Sequence, residues 1–174
     1  ISSKGAYRHL KGRSFYIQLL AEVVARELLV AQGLTGTNLL YASGGKAYLL
    51  LANTEQAREK VAEQHKQLNQ TLTRHFGHEL YLRMASIPLS VQDLCRQQGR
   101  TLNVIWEELT RELGAQGRSR LQNLDGDELA ALFAVSDDYP RGDCRVCHAP
   151  LEQKDGVCKT CEQLGELGRK LGHA

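Results

Sequence analysis

The sequence predicts an α+β fold, and the order of its apolar segments is the main reason. Residues 14–87 read helix, strand, strand, helix, strand, which matches a ferredoxin-like βαββαβ sheet without its first strand, with helices on one face. Two cysteine pairs near the C-terminal end predict a separate metal module. We therefore expect a sheet domain over residues 1–90, a helical connector over 91–139 and a treble-clef-like zinc module over 140–174.

The composition narrows the classes of protein without identifying one. The chain has 174 residues, enough for one domain and a small appendage, and its net charge of +2 is too small to indicate nucleic-acid binding from bulk charge. No apolar run approaches the ~18 residues of a membrane span, and no signal peptide is visible. We therefore expect no membrane association and a cytoplasmic location, which the paired cysteines also favour because they indicate a reducing compartment.

The first predicted element is a helix from Ser14 to Gln32 that is apolar over most of its surface. Its polar residues form one narrow stripe at i, i+4 spacing, namely Gln18, Glu22 and Arg26. A helix of this kind is mostly buried, so we expect it to pack against a sheet. Glycines at positions 33 and 36 end the helix.

Two apolar strands over residues 38–43 and 46–52 predict a hairpin around the turn Ser43-Gly44-Gly45. In GGDEF-like palm domains of polymerases and nucleotidyl cyclases, such a hairpin usually carries two acidic residues after the glycine pair, which hold Mg²⁺ against a triphosphate. Here the two positions are Lys46 and Ala47, which cannot bind the metal. The sequence therefore predicts a palm that supports catalysis elsewhere, and it identifies no catalytic residue.

A second helix and a third strand complete the predicted sheet domain. Asn53 or Thr54 caps a helix that runs to Phe76. Glu79–Ile87 reads as a strand that Pro88 closes. The inward face of the helix is predicted to be apolar and consists of Ala57, Val61, Leu68, Leu72 and Phe76.

The other residues before the cysteine pairs receive structural interpretations. His65 lies on the apolar face of the second helix, where we expect it to be partly buried and hydrogen-bonded, and Cys95 is expected to be a buried small side chain. Asp125–Asp127 is expected to form a turn before Glu128–Phe133. A stripe at helical spacing predicts a packing face that contains Leu102, Ile105, Trp106, Leu109 and Leu113.

The cysteine pairs are the strongest chemical signal by spacing alone. The sequence contains Cys144-x₂-Cys147, then ten residues, then Cys158-x₂-Cys161. Each pair can form a knuckle that directs two thiolates at one ion, so the pattern predicts a closed structural zinc site with no open position for catalysis. The alternative is two disulfides or redox-active pairs. His148 is surplus to the ligand set and is expected at the surface.

The N-terminal segment is basic and rich in small residues. Residues 1–13 contain four lysines and arginines and no acidic residue, and small residues let a backbone approach a phosphate. We expect a loop here, with Ser14 capping the helix whose positive end would face an anion. The alternatives are a solvated basic loop for this segment and, for Ser43–Gly45, a tight turn that needs glycine's conformational freedom.

Three blocks of sequence together resemble the large subunit of type III-A CRISPR effector complexes, the Csm type. They are Ile1-Ser-Ser-Lys-Gly-Ala6, Leu10-Lys-Gly-Arg-Ser-Phe-Tyr16 and Asn38-Leu-Leu-Tyr-Ala-Ser-Gly-Gly-Lys-Ala-Tyr-Leu-Leu-Leu51. The resemblance implies a full-length protein with an HD nuclease domain that cleaves single-stranded DNA, two palms and a zinc-binding linker. It also implies synthesis of cyclic oligoadenylates from ATP by a Gly-Gly-Asp-Asp motif in the second palm.

On this resemblance, the chain is a fragment that contains the first palm without its first strand, followed by the linker. Its partners would be the second palm of the same protein, other subunits of the effector complex, and guide RNA and target RNA through the complex. ATP would bind at an interface that the second palm completes. The candidate nucleotide contacts are Ser2, Ser3, Lys4, Gly5, Ser43, Gly44 and Gly45.

Two other functions remain open at the level of sequence. An active nucleotidyl or diguanylate cyclase-like enzyme would share the palm, but Lys46 and Ala47 count against it. A free-standing zinc module that binds nucleic acid would share the cysteines. It would be favoured by basic and aromatic residues, and residues 141–174 contain no Phe, Tyr or Trp.

Overall fold

The computed structural model describes residues 3–77, 79–95, 100–118, 121, 124–134, 142–151 and 156–172. The chain divides into two compact units, one formed by residues 1–50 with 136–174 and the other by residues 51–135. The sequence predicted boundaries near residues 90 and 139 instead. The grouping differs because the N-terminal helix contacts the C-terminal helix, and no local pattern reports a contact between segments so far apart in sequence.

Helices dominate the described residues, and two small sheets accompany them. In chain order the elements are α1 Ser3–Ala31, β1 Leu39–Ser43, β2 Lys46–Leu49, α2 Glu55–Phe76, α3 Val91–Cys95, α4 Leu102–Arg118, α5 Gly126–Phe133, β3 Gly142–Asp143, β4 Pro150–Leu151 and α6 Lys159–Lys170. β1 pairs with β2 and β3 with β4, both antiparallel. This mixture agrees with the predicted α+β class, whereas the ferredoxin-like palm sheet stays a prediction. In the part of the chain so described, no helix combines the length and apolar character needed to cross a bilayer.

Helix α1 begins eleven residues earlier than the sequence predicted. The expected basic loop is therefore wrong for residues 3–13, and Ser14 lies inside the helix, where it caps nothing. One face of α1 is buried, with Ala25 and Leu29 almost fully so, and the helix packs against the β1–β2 hairpin. The prediction that this helix packs against strands is confirmed.

The hairpin turn has the geometry that the glycine pair predicted. Ser43 pairs with Lys46, and the two residues between them, Gly44 and Gly45, have φ of 60° and 76°. Positive φ at both central residues is typical of the type I′ turn that joins twisted strands. A Cβ on Gly45 would lie 2.7 Å from Cγ2 of Ile17, so the turn also rests directly on α1.

Helix α2 follows the prediction closely. The hydroxyl of Thr54 accepts a hydrogen bond from the backbone N–H of Ala57 at 3.2 Å, and Gly77 ends the helix with φ of 58°. Ala57 and Leu72 are buried, and the other predicted inward residues are half-buried. His65 is buried and hydrogen-bonded, as expected.

The predicted strand over residues 79–87 is wrong. This segment forms neither helix nor strand, and side chains of α2 pair with the backbone of Leu82 within it. The amide of Asn69 accepts from Leu82 N–H and donates to Leu82 C=O, both at 2.9 Å, and His65 Nε2 lies 2.9 Å from the same carbonyl. Asn69 thus occupies the place of a neighbouring strand, and sequence analysis did not identify it.

The described residues of the connector form three helices, and one carboxylate among them is buried. Asp93, in α3, accepts from the backbone and hydroxyl of Ser90 at 2.9 and 2.8 Å and from the backbone N–H of Arg100 at 2.7 Å. The Arg100 guanidinium also pairs with Glu108 of α4. This network ties the segment before α3 to the helix after it.

Two predictions for the connector need correction. Cys95 is exposed, because the buried residue of the five-residue helix α3 is Asp93. Trp106 is 44% exposed, whereas its neighbour Ile105 is 5% exposed, so Trp106 lies beside the packing face and not in it. The predicted turn before α5 is confirmed: Asp125 and Glu128 form a reciprocal capping box.

Candidate metal centre

The structure brings the four predicted cysteine ligands together. Their sulfur atoms all lie within 4.8 Å of one another. Cys144 and Cys161 are fully buried, and Cys147 and Cys158 are half-buried. The first pair follows strand β3, and the second pair opens helix α6. The predicted convergence of two knuckles is therefore observed.

Backbone hydrogen bonds shape the first knuckle. The N–H of Cys144 donates to Ala149 C=O at 2.8 Å, and His148 N–H donates to Cys144 C=O at 2.9 Å. His148 has φ of 60°, a left-handed conformation that is uncommon outside glycine, and its side chain is exposed as predicted. The loop therefore turns tightly enough to present Cys144 and Cys147 on the same side.

The second knuckle uses a helix N-terminus to hold sulfur. Cys158 is the N-cap of α6, and its Sγ accepts from Cys161 N–H at 3.4 Å. Cys158 N–H donates in turn to Cys144 Sγ at 3.2 Å, which links the two knuckles. Donors aimed at sulfur favour the thiolate, and the thiolate is the form that binds metal.

The sulfur atoms differ in how readily they ionise. Burial opposes ionisation of Cys144, but the backbone N–H donors of Cys158 and Cys147 outweigh it and lower the pKa of Cys144 to about 6. Burial raises the pKa of Cys161 to about 12, and a hydrogen bond from Arg13 acts against that rise. Burial likewise raises the pKa of Cys147. A divalent cation would offset the cost of holding several of these sulfurs as thiolates.

The distance between the sulfur atoms of Cys147 and Cys158 fits a tetrahedral zinc ion better than a disulfide. Sγ of Cys147 and Sγ of Cys158 are 3.7 Å apart, and zinc–sulfur bonds of about 2.3 Å give sulfur–sulfur edges of about 3.8 Å. A disulfide bond would need about 2.0 Å. Four sulfur ligands leave no open position for water, so the arrangement suits a structural ion.

Helix α1 reaches the cysteine cluster, which sequence analysis missed. The Arg13 guanidinium donates from Nη2 to Cys161 Sγ at 3.1 Å, and Lys11 Nζ donates to Leu171 C=O at 2.7 Å. The basic segment was identified but assigned to phosphate binding. The signal that could have revealed this contact is the spacing of Gly165 and Gly168 in α6, since small residues three apart let another helix approach.

Those candidate nucleotide contacts that the structure describes do not form one cluster. Ser2 lies outside the described residues, Ser3–Gly5 form the first turn of α1, and Ser43–Gly45 form the hairpin turn. Gly45 contacts α1 at Ile17, and Ile17 is twelve positions after Gly5 in the helix, a distance of about 18 Å along the helix axis. Ser43 and Gly44 are exposed, so the turn itself is accessible.

A family model described as Csm1 subunit domain B matches residues 1–135. The "CRISPR system single-strand-specific deoxyribonuclease Cas10/Csm1 (subtype III-A)" of Mycobacterium tuberculosis is 36% identical over 94% of this chain and 22% of its own length. The protein of the same description from Streptococcus thermophilus is 30% identical over 99% of this chain and 23% of its own. The chain thus spans about a fifth of the length of these relatives.

Solved structures give the same result for the fold. A Csm1–Csm4 cassette in complex with pppApA matches with a TM-score of 0.63 and 27% identity, over 69% of this chain and 17% of that one. The apo cassette matches with a TM-score of 0.61 and 26% identity, over 72% and 18%. A cassette in complex with one ATP matches with a TM-score of 0.60 and 27% identity, over 69% and 17%.

Proposed function

This chain belongs to the Csm1 family of type III-A CRISPR large subunits, and we propose that it is the non-catalytic first palm and the zinc linker of such a subunit. The observation that carries the proposal is the hairpin. Its turn has positive φ at Gly44 and Gly45, yet Lys46 and Ala47 follow the glycines where a catalytic palm would carry acidic residues. Neither side chain offers the oxygen ligands that Mg²⁺ requires.

We infer that the relatives' whole-protein activities come from outside this segment. The relatives are described as single-strand-specific deoxyribonucleases, and the matching cassettes were solved with ATP and with cA4. The full-length protein would cleave single-stranded DNA through an HD domain and make cyclic oligoadenylates from ATP in a second palm. It would act within a complex that contains a Csm4-like subunit, guide RNA and target RNA.

The exposed face of α1 supports a second palm as neighbour. Leu19, Val23 and Val30 lie on one side of the helix and are 47%, 47% and 69% exposed. Apolar side chains aligned in this way usually mark an interface. About four fifths of the relatives' length lies beyond this chain, so a domain of the same polypeptide is available to cover the face.

We propose that ATP binds between the two palms and contacts this chain in two places. The turn Ser43–Gly45 is exposed at Ser43 and Gly44. The sequence Ser2–Gly5, of which Ser3–Gly5 open α1, contains small residues and a lysine. Because the two places are about 18 Å apart along α1, they would contact different parts of the bound nucleotides. The metal-binding carboxylates would come from the second palm.

The zinc linker would make α6 and the β3–β4 strands one rigid part. A four-thiolate site of this kind contributes folding free energy directly. Elemental analysis of the purified chain should find one zinc per molecule, and it should find none after Cys144 and Cys147 are both replaced by serine. Wild-type protein without zinc would contradict this part of the proposal.

The palm function is tested in the full-length protein at Ser43. Ser43→Trp places a bulky ring at the exposed turn, so cyclic oligoadenylate synthesis should fall while single-stranded DNA cleavage persists. Ser43→Ala is the matched control, because it changes the same position without adding volume, and it should retain synthesis. Full synthesis by the Trp variant, or product formation from ATP and Mg²⁺ by this chain alone, would overturn the shared-site proposal.

A further inference from the structure

We propose that α1 is part of the metal centre, with Arg13 a positioning residue whose guanidinium holds the sulfur of Cys161 in place for the ion. Metal binding and the docking of α1 on α6 would then be coupled, each strengthening the other. This inference rests on the proposed zinc site and adds a residue that lies 148 positions before the ligand it contacts.

The contact between Arg13 and Cys161 has the features of an effective outer-shell interaction. Nη2 of Arg13 lies 3.1 Å from Sγ, and Cys161 is 1% exposed. A charged donor forms a stronger hydrogen bond than a neutral one, and burial reduces screening of the charge. Four thiolates around Zn²⁺ carry a net charge of about −2, which the guanidinium offsets in part.

Close backbone contact holds Arg13 in place. A Cβ on Gly12 would lie 1.8 Å from Leu164 C=O, and a Cβ on Gly168 would lie 1.8 Å from Arg8 C=O. Distances that short are impossible for real atoms, so only glycine at these positions lets α1 and α6 cross so closely. The crossing fixes the direction in which the neighbouring side chains of α1 leave the helix.

Three consecutive residues of α1 contact three levels of α6. Arg13 contacts Cys161 in the first turn of α6, and Gly12 faces Leu164 in the middle of α6. Lys11 donates to the carbonyl of Leu171 at the C-terminal end of α6. We call Lys11, Gly12 and Arg13 the α6 clamp. A lysine at a helix C-terminus also interacts favourably with the helix dipole. Lys11 thus donates to a carbonyl oxygen at that end, and Arg13 donates to a sulfur atom.

The coupling follows from thermodynamic linkage. If the clamp favours the geometry that binds zinc, then zinc must favour the docked clamp by the same free energy. If the contact only filled space, its removal would lower the stability of the unit but would not lower the affinity for zinc. The two explanations therefore differ in measurable terms.

The first experiment measures zinc release from the 174-residue chain with a chromogenic zinc chelator. Arg13→Ala should release zinc at about tenfold lower chelator concentration than the wild type. This corresponds to the lower end of the loss in metal affinity found for outer-shell substitutions. Arg13→Lys should restore part of the affinity, because the ammonium keeps the charge without the planar fork. Arg26→Ala is the matched control, since Arg26 is exposed on the same helix and pairs with Glu22. It should leave zinc release unchanged.

The second experiment measures hydrogen exchange of residues 3–13 with and without zinc. Removing zinc from wild-type protein should speed exchange in this segment, and Arg13→Ala should reduce that dependence. This measurement needs no variant to be informative, so it holds even if Arg13→Ala folds poorly. Circular dichroism of each variant reports whether the helices remain.

The possible results separate this inference from the proposed function. The inference would be overturned if Arg13→Ala left the zinc affinity unchanged and if hydrogen exchange in residues 3–13 did not depend on zinc. These results would leave the proposed four-cysteine site intact. Wild-type protein that binds no zinc would overturn the proposed site itself. Weakened zinc binding in Arg13→Ala with wild-type behaviour in Arg26→Ala would support the coupling.

Discussion

The two compact units are stabilised by different chemistry. The first, residues 1–50 with 136–174, depends on sulfur atoms arranged for a metal and on glycines that let α1 touch α6. The second, residues 51–135, depends on side chains that satisfy backbone groups, through Asn69 at Leu82 and Asp93 at Ser90. The first unit should therefore respond to chelators and thiol chemistry, and the second to loss of hydrogen-bonding groups and to acid.

The largest expected effect is the loss of one ligand. Cys147→Ser should unfold the cysteine module, because structural zinc sites carry on the order of 10 kcal/mol of apparent binding free energy, much of it as local folding. The only tryptophan, Trp106, lies in the second unit, so urea unfolding followed by its fluorescence should be unchanged. Cys95→Ser is the control, since Cys95 is exposed and outside the cluster. Simultaneous loss of both units would contradict the division.

The same glycine-to-alanine change should have opposite signs in the two units. Gly168→Ala puts a methyl group 1.8 Å from Arg8 C=O, and we expect a loss of about 3 kcal/mol, typical of overpacking at a rigid contact. Gly114→Ala meets nothing within 4 Å in α4 and should stabilise the second unit by up to about 1 kcal/mol through helix propensity. Thermal unfolding by calorimetry measures the stability change in each variant, and hydrogen exchange of residues 3–13 reports on the first unit. Equal stability changes in Gly168→Ala and Gly114→Ala would disprove the close crossing of α1 and α6.

A smaller loss is expected from the side chain that replaces a strand. Asn69→Ala leaves Leu82 N–H without its partner in a buried setting, which should reduce the stability of the second unit by about 1–3 kcal/mol. Gln67→Ala is the control, because Gln67 is exposed and its side-chain amide donates to Glu63 on the same helix. Urea unfolding monitored by Trp106 fluorescence would refute the role of Asn69 if the two variants behaved alike.

The smallest effect concerns pH. Hydrogen bonds from the backbone and hydroxyl of Ser90 and from the backbone of Arg100 hold the pKa of Asp93 well below its usual range. A carboxyl whose pKa is depressed by folding stabilises the fold above its unfolded pKa of about 3.9, and this contribution is lost as pH falls from there toward the folded pKa. The urea concentration at which half of the second unit is unfolded should therefore decrease as the pH falls below about 4. Asp93→Asn should make this midpoint less dependent on pH in that range. An unchanged profile in the variant would assign the acid sensitivity to other groups.

The features predicted correctly from sequence are those with local causes. Thr54 caps α2 and Gly77 ends it, and the glycine pair forms the type I′ turn. The spacing of the cysteines predicted that their four sulfur atoms would lie together, as they do. The cap, the turn and each cysteine knuckle depend on residues within a few positions of one another, and the two knuckles are separated by only ten residues. The same is true of the capping box at Asp125.

The features that sequence analysis missed depend on distant partners. Gly5 and Gly12 made residues 3–13 resemble a loop, but Gly12 is required by Leu164, far along the chain. The β-like residues before Pro88 predicted a strand, yet the polar groups of Leu82 are paired by Asn69 in a helix. In both places tertiary contacts override the local preference.

The position of the hairpin on α1 constrains the length of that helix. Gly45 rests on Ile17, and Arg13 contacts Cys161 only four residues earlier. Inserting or deleting one residue between positions 13 and 17 would rotate one contact relative to the other by about 100° and shift it by about 1.5 Å. The turn and the cysteine cluster would then face different directions. The phase of a single helix therefore sets both features, so this short stretch can change in composition but not in length.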